Sequence, residues 1–208
     1  MKANFFAACA AALLAAPLLL GAGAEAQGVS STDPAAVKPG TYKVEPGHTQ
    51  IGFSILHMGF TNYFGFFSGA SGSLQLQPAT PSSAKLQVTV PVASVLTTVP
   101  KLDQELKGAD WFDAAKYPNA TFTSTRVHPT GKDTAEIDGD LTLHGVTKPV
   151  TLNAHLIGSG VNPLDKAFTV GFEATGVIKR SDFGVTKYLP LVGDDVRLTI
   201  AGAFELQQ

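Results

Sequence analysis

Between Glu136 and Leu156 apolar and polar residues alternate with a period of two, and a break at His144-Gly145 divides the alternation in half. Ile137, Gly139, Leu141 and Leu143 share one face before the break; Val150, Leu152, Ala154 and Leu156 share one after it. A period of two belongs to a strand with one buried and one solvated side. Gly145 accepts the positive φ of a tight turn, and Pro149 falls near the start of the second run, where a missing N–H does least harm. The stretch predicts an antiparallel hairpin, and few folds accommodate a chain that repeats this pattern throughout.

It does repeat. A first strand runs from Thr41 to about His57, with Ile51, Phe53, Ile55 and His57 on one face and a bend at Pro46-Gly47. A second, about Tyr63 to Gln77, is expected to turn Phe64, Phe66, Ser68, Ala70, Gly72, Leu74 and Leu76 to one side. A third carries Leu86, Val88, Val90 and Val92; a fourth, about Ala120 to Val127, has Phe122 as its main apolar residue. After the central hairpin come Phe168, Val170, Phe172, Ala174, Gly176 and Ile178, then Val196, Leu198, Ile200, Gly202 and Phe204. Only between Pro100 and Tyr117 does the period become helical, with Pro100 placed to start a helix and Pro118 to end the helical stretch. Eight strands with short turns predict an all-β, antiparallel up-and-down barrel with a short helical segment between strands three and four. Closure removes the edges that the alternative, a sandwich, must protect by other means.

The first segment stands apart. Lys2 precedes an apolar run from Phe5 to Leu20, followed by Ala24-Glu25-Ala26. This is the pattern of a secretory signal peptide over residues 1–26, with residues 27–39 a polar, proline-containing flexible leader and 40–208 the barrel domain. Export predicts a location outside the cytoplasm. Cleavage removes Cys9, the one cysteine, so disulfides and thiolate chemistry are not expected. The net charge of −2 survives cleavage, and without a basic patch nucleic acid is not an expected partner. No membrane-spanning segment is expected in the mature chain.

The inward faces mix bulky residues with Gly72, Gly139, Ala154, Ala174, Gly176 and Gly202. Small residues let a tapering barrel pack its own core, or they leave a long apolar cavity; periodicity alone does not separate the two. If there is a cavity, its wall is expected from Phe53, Ile55, Phe64, Phe66, Val88, Val90, Leu141, Leu152, Phe172, Ala174, Gly176 and Ile200. His57, Trp111, His144 and Arg180 are candidates for its mouth or for a ligand headgroup, the two histidines reading alternatively as residues that hold turns. Arg180 beside Asp182 reads either as a cation for a lipid phosphate or as half of a surface salt bridge. Trp111-Phe112 reads as a packing anchor or as a gate.

Catalytic and metal patterns are missing. The five histidines (His48, His57, His128, His144, His155) are scattered over strand ends and turns with no H-x-x-x-H pair, so no metal site is expected. Ser71 in Gly69-Ala-Ser-Gly-Ser73 lacks the last glycine of a nucleophile elbow. Phosphate loops and dinucleotide fingerprints are absent, and neither an enzyme nor a resident cofactor is expected.

Five stretches in order resemble one family, the YceI-like or polyisoprenoid-binding proteins of bacterial periplasms. Tyr42 to Gly59 is similar to its opening strand, and Ser94-Val-Leu-Thr97 with Asp103 to Asp113 to its crossover. Tyr117-Pro-Asn-Ala-Thr-Phe-Thr-Ser124, Gly139-Asp-Leu-Thr-Leu-His-Gly-Val-Thr-Lys-Pro149 and Lys179-Arg-Ser-Asp-Phe-Gly184 complete the series. Glu105 departs from the pattern, since relatives often carry His there. The resemblance implies an extended lipocalin-like barrel and a homodimer. It also implies a non-enzymatic carrier or binding role for a polyisoprenoid, prenyl-quinone-like or other long-chain amphiphilic lipid. The alternative is a ligand-free barrel acting as an interaction protein in envelope stress.

Overall fold

A computed structural model describes residues 29–207, and in it the period-two stretches become ten strands. They are β1 (Gly40–Val44), β2 (Gln50–His57), β3 (Thr61–Phe67), β4 (Ser71–Leu76), β5 (Lys85–Pro91), β6 (Asn119–Pro129), β7 (Thr134–Leu143), β8 (Val146–Val161), β9 (Phe168–Lys179) and β10 (Val192–Leu206). One helix, α1 (Pro100–Leu106), lies between β5 and β6. The expected signal peptide lies outside the described residues.

Every pairing is antiparallel. β1 pairs with both β4 and β10, so β1-β4-β5-β6-β7-β8-β9-β10 closes into an eight-stranded barrel. A sandwich is excluded. β2 and β3 continue the rails of β1 and β4: β2 lies on the N-terminal half of β10, and β3 on β2. The first rail breaks where Pro46-Gly47 predicts, at a loop in which Glu45 accepts hydrogen bonds from the N–H groups of Gly47 (2.8 Å) and His48 (2.7 Å).

The second rail breaks too, at Ser68-Gly69-Ala70, with Gly69 at φ 67°. That break corrects the expected faces. Two residues, Ser68 and Gly69, separate inward Phe67 from buried Ala70, where strict alternation allows one. The phase therefore slips, and side chains on β3 face the opposite way from an unbroken alternation. Tyr63 and Phe67 turn in. Phe64 and Phe66 turn out and are 61% and 48% exposed.

β5 ends before the barrel does. Beyond Pro91 the chain meets β3 at one bridge, Phe66–Leu96, and then supplies α1 and the turns to Tyr117. Pro100 stands in the first turn of α1, as predicted, and buried Asp103 accepts hydrogen bonds from Thr97 N and Oγ1, both at 2.6 Å. Leu106, Trp111, Val95 and Val185 pack here with Phe53, Phe67 and Phe112. A second cluster at the opposite end joins Tyr42, Val44, Leu74, Leu156, Val170 and Phe204.

The described part of the expected leader is built into the barrel. β8 extends past β7, leaving backbone groups unpaired on that edge, and Ser31 takes them in two 2.8 Å hydrogen bonds with Ser159. Val37 is buried in the second cluster, and the Tyr42 hydroxyl donates to Lys38 O at 2.6 Å.

Candidate functional site

The barrel encloses a cavity of about 660 Å³, inside the range of about 300–1,000 Å³ typical of small-molecule sites. It runs from Trp111, Tyr188, His57 and Arg180 at the helix-capped end to Pro34, Pro81, Gln77 and Lys132 at the turn end. Between them the wall is aliphatic and aromatic because the inward positions of every strand are. Of the expected wall, Phe53, Ile55, Val88, Val90, Leu141, Leu152, Phe172, Ala174 and Ile200 line the cavity. Phe64 and Phe66 do not, because of the phase slip in the second rail, and Tyr63 and Phe67 stand in their place. Gly69 was the only local sign of that slip.

Both readings of the small residues hold, at different positions. A Cβ on Gly139 would meet the ring of Phe122, and one on Gly176 would lie 2.8 Å from Leu152 Cδ2. Those glycines seat a bulky neighbour. Gly176, expected in the wall, is roofed by Leu152. Ala154, Ala174 and Gly202 line the void itself.

The four mouth candidates separate as well. His57 and Trp111 line the helix-capped end. Trp111 is also an anchor: its Nε1 donates to Glu105 at 3.3 Å, and its ring sits 5.6 Å from the Arg180 guanidinium and 6.1 Å from the Tyr188 ring. His144 does not reach the cavity lining. It sits at φ 51° beside Gly145 at φ 77°, the paired positive angles of a tight hairpin turn, and is held there by Phe183 O at 3.0 Å. A carbonyl only accepts, so Nδ1 carries the proton.

Arg180 also lines the helix-capped end, but its charge fits neither the phosphate nor the salt-bridge reading. It is 4% exposed, and its Nε, Nη1 and Nη2 donate to the carbonyls of Gly193 (2.8 Å), Val185 (2.9 Å) and Val192 (2.9 Å). The guanidinium is a staple between the 180–185 turn and the start of β10. Burial lowers its pKa from the ordinary arginine value, and the charge of Asp194 opposes that shift. Asp182 is not its partner in an ion pair. Asp194, next along β10, accepts instead from Ser181 N and Oγ at 2.9 and 2.8 Å. Partial burial raises the Asp194 pKa, but those bonds and the charges of Lys179 and Arg180 outweigh it and hold the carboxyl below its usual range.

Among the described residues no three His, Cys, Asp or Glu side chains converge as metal ligands, and no helix is long and apolar enough to cross a membrane.

Fold and cavity together define a closed antiparallel β-barrel with an apolar interior, the architecture of barrel-type binding proteins. The chain belongs to the YceI-like family: the family model described as the YceI-like domain matches residues 42–204. Protein YceI of Escherichia coli O157:H7 is 42% identical over 162 residues, covering 77% of this chain and 84% of that protein. A UPF0312 protein of Ectopseudomonas mendocina is 39% identical over 154 residues, 74% of this chain and 80% of its own. Among solved structures, BcnA of Burkholderia cenocepacia superposes with a TM-score of 0.69 at 27% identity, over 77% of this chain and 98% of that one. A YceI protein of Campylobacter jejuni does so with a TM-score of 0.63 at 33% identity, over 74% and 91%. A polyisoprenoid binding domain from Saccharophagus degradans shares the fold alone, with a TM-score of 0.61 at 17% identity over 80% and 98%.

Proposed function

We propose that this protein is a non-catalytic carrier that holds a polyisoprenoid or similar long-chain amphiphilic lipid inside its barrel, in the periplasm. The observation that carries the reading is the cavity: one apolar void joining both ends of the barrel. Each methylene buried there contributes about 0.8 kcal/mol, so a long prenyl chain is held with few polar contacts even after the cost of ordering it. Polyisoprenoid binding is named for the Saccharophagus degradans domain, and the shared architecture makes the same class of ligand reasonable here. The Lys2–Ala26 segment supports export. A homodimer belongs to the same proposal. Among the described residues the outer side of β3 pairs only through the Phe66–Leu96 bridge, and Phe64, Phe66 and, across the bridge, Leu96 stand exposed there.

Native mass spectrometry of protein purified from periplasm, before and after solvent extraction, tests the carrier reading. A stoichiometric apolar adduct that extraction removes is the expected result. A clean apo mass, unchanged on incubation with prenyl lipids, would transfer the proposal to the interaction-protein alternative.

A further inference from the structure

The two ends of the barrel differ in what they show to solvent. At the helix-capped end two turns stand side by side. The β2–β3 turn holds Met58 at φ 50° and Gly59 at φ 72°, the paired positive angles of a tight hairpin, and leaves Phe60 84% exposed. The stretch from Tyr188 to Leu191 lies against it, with Met58 N donating to Leu191 O at 2.8 Å. Leu56, Met58, Phe60, Tyr188 and Leu191 are all exposed there. No Asp, Glu, Lys or Arg occurs between Glu45 and Lys85, nor from Tyr188 to Gly193. These apolar side chains are therefore not interleaved with charge along either stretch, as single surface apolar residues ordinarily are.

The turn end is the opposite. Exposed Leu164 is followed directly by Asp165 and Lys166, and Lys132 and Asp133 stand in the cavity lining. The 31–37 segment lies over that end: Ser31 bonds to Ser159, Asp33 pairs with Lys132 at 3.5 Å, and Pro34 and Val37 line the cavity. At the helix-capped end Tyr188 belongs both to the cavity lining and to the exposed patch, so apolar surface continues from outside into the void.

Shape, backbone and charge select the occupant. The patch is a pair of narrow tips, suited to a deformable apolar medium. Its backbone donors are already used: Phe60 N bonds to His57 O (3.0 Å), Leu189 N to Thr186 O (3.1 Å) and Val192 N to Tyr188 O (2.9 Å). The tips thus enter hydrocarbon without stranding those groups, and Tyr188 is a residue type that favours the membrane–water interface. Lys187, the cation next along the chain, is tied to Asp110 at 2.7 Å, so anionic headgroups are not required.

We propose, resting on the lipid-carrier reading, that these two tips seat the protein on a lipid bilayer by shallow insertion of Met58, Phe60 and Leu191. The helix-capped mouth then faces the membrane from which an apolar ligand is drawn.

Mature protein and a Phe60→Asp/Leu191→Asp variant are sedimented with phosphatidylcholine vesicles. The wild type is expected to bind, with affinity changing less than about twofold when salt is raised, because screening does not weaken apolar insertion. The variant is expected to bind about tenfold more weakly, having lost two apolar anchors, with a melting temperature close to wild type. Binding that salt abolishes, or undiminished binding by the variant, overturns the inference. Cys9, the one cysteine, lies in the expected signal peptide, so mature Phe60→Cys and Leu164→Cys proteins each carry a single polarity-sensitive dye. The dye at the Phe60 position is expected to shift to the blue on vesicles and the dye at the Leu164 position is not; equal shifts or the reverse pattern overturn the inference. Uptake of a prenylquinone dispersed without vesicles is read by Trp111, the one tryptophan, which lines the cavity. A wild type that takes up the quinone but binds no vesicles overturns the inference and leaves the carrier reading standing; one that does neither overturns both. If the double variant separates a dimer in sedimentation without vesicles, the tips belong to a second copy and the inference falls.

Discussion

Arg180 shows how one side chain replaces several backbone pairings. Its planar fork reaches Val185, Val192 and Gly193, segments 5 to 13 residues further along the chain. Arg180→Met would retain the stem but strand three carbonyls. We expect a loss of about 3 kcal/mol, read as a lower urea midpoint, and only partial rescue by Arg180→Lys, whose point charge does not match the fork. Asp194 adds a pH dependence with a definite sign. Its folded pKa lies below the ordinary 3.8, so its stabilising effect is complete above the unfolded value and disappears as pH falls through the folded one. Asp194→Asn is therefore expected to lower the melting temperature at pH 7 and to narrow its gap from wild type near pH 2. The arginine was visible in the sequence as a cation just before Phe183-Gly184. Its partners were not, because backbone carbonyls carry no signature in a sequence.

At the scale of elements, pleat parity decides which side chains meet the cavity. β7, β8, β9 and β10 place their inward residues as alternation predicts, since each holds one phase over the positions that line the void. The β3–β4 rail does not, and a single irregular step at Ser68–Ala70 exchanged Phe64 and Phe66 for Tyr63 and Phe67. Parity also selects the position at which to block the barrel. Ala174 opens on the void, so Ala174→Phe places a ring in empty space and is expected to reduce lipid affinity at least tenfold with a melting temperature within a few degrees of wild type. Gly176→Phe would instead drive against Leu152 and Thr151 O and is expected to unfold the barrel. Undiminished lipid uptake by a folded Ala174→Phe protein would count against the cavity as the binding site.

For the whole molecule, the outward aromatic pair on β3 and the inward cavity are separable features. Phe64→Ser with Phe66→Ser is expected to convert a dimer to a monomer in analytical ultracentrifugation while prenyl-lipid binding persists; an unchanged sedimentation coefficient would remove that face from the proposal. The chain by itself determined the strands, the central hairpin turn, the helical interruption after Pro100 and membership of a barrel family. Each of these depends on residues close together in sequence, through a period of two, a glycine at positive φ or a proline that ends a run. Only the tertiary structure decided which glycines lie under a bulky neighbour, where the Arg180 donors go, and that Ser31 to Val37 belongs to the barrel. Those depend on the register between strands distant in sequence, and a slip of one residue, costing little locally, reverses every side chain beyond it.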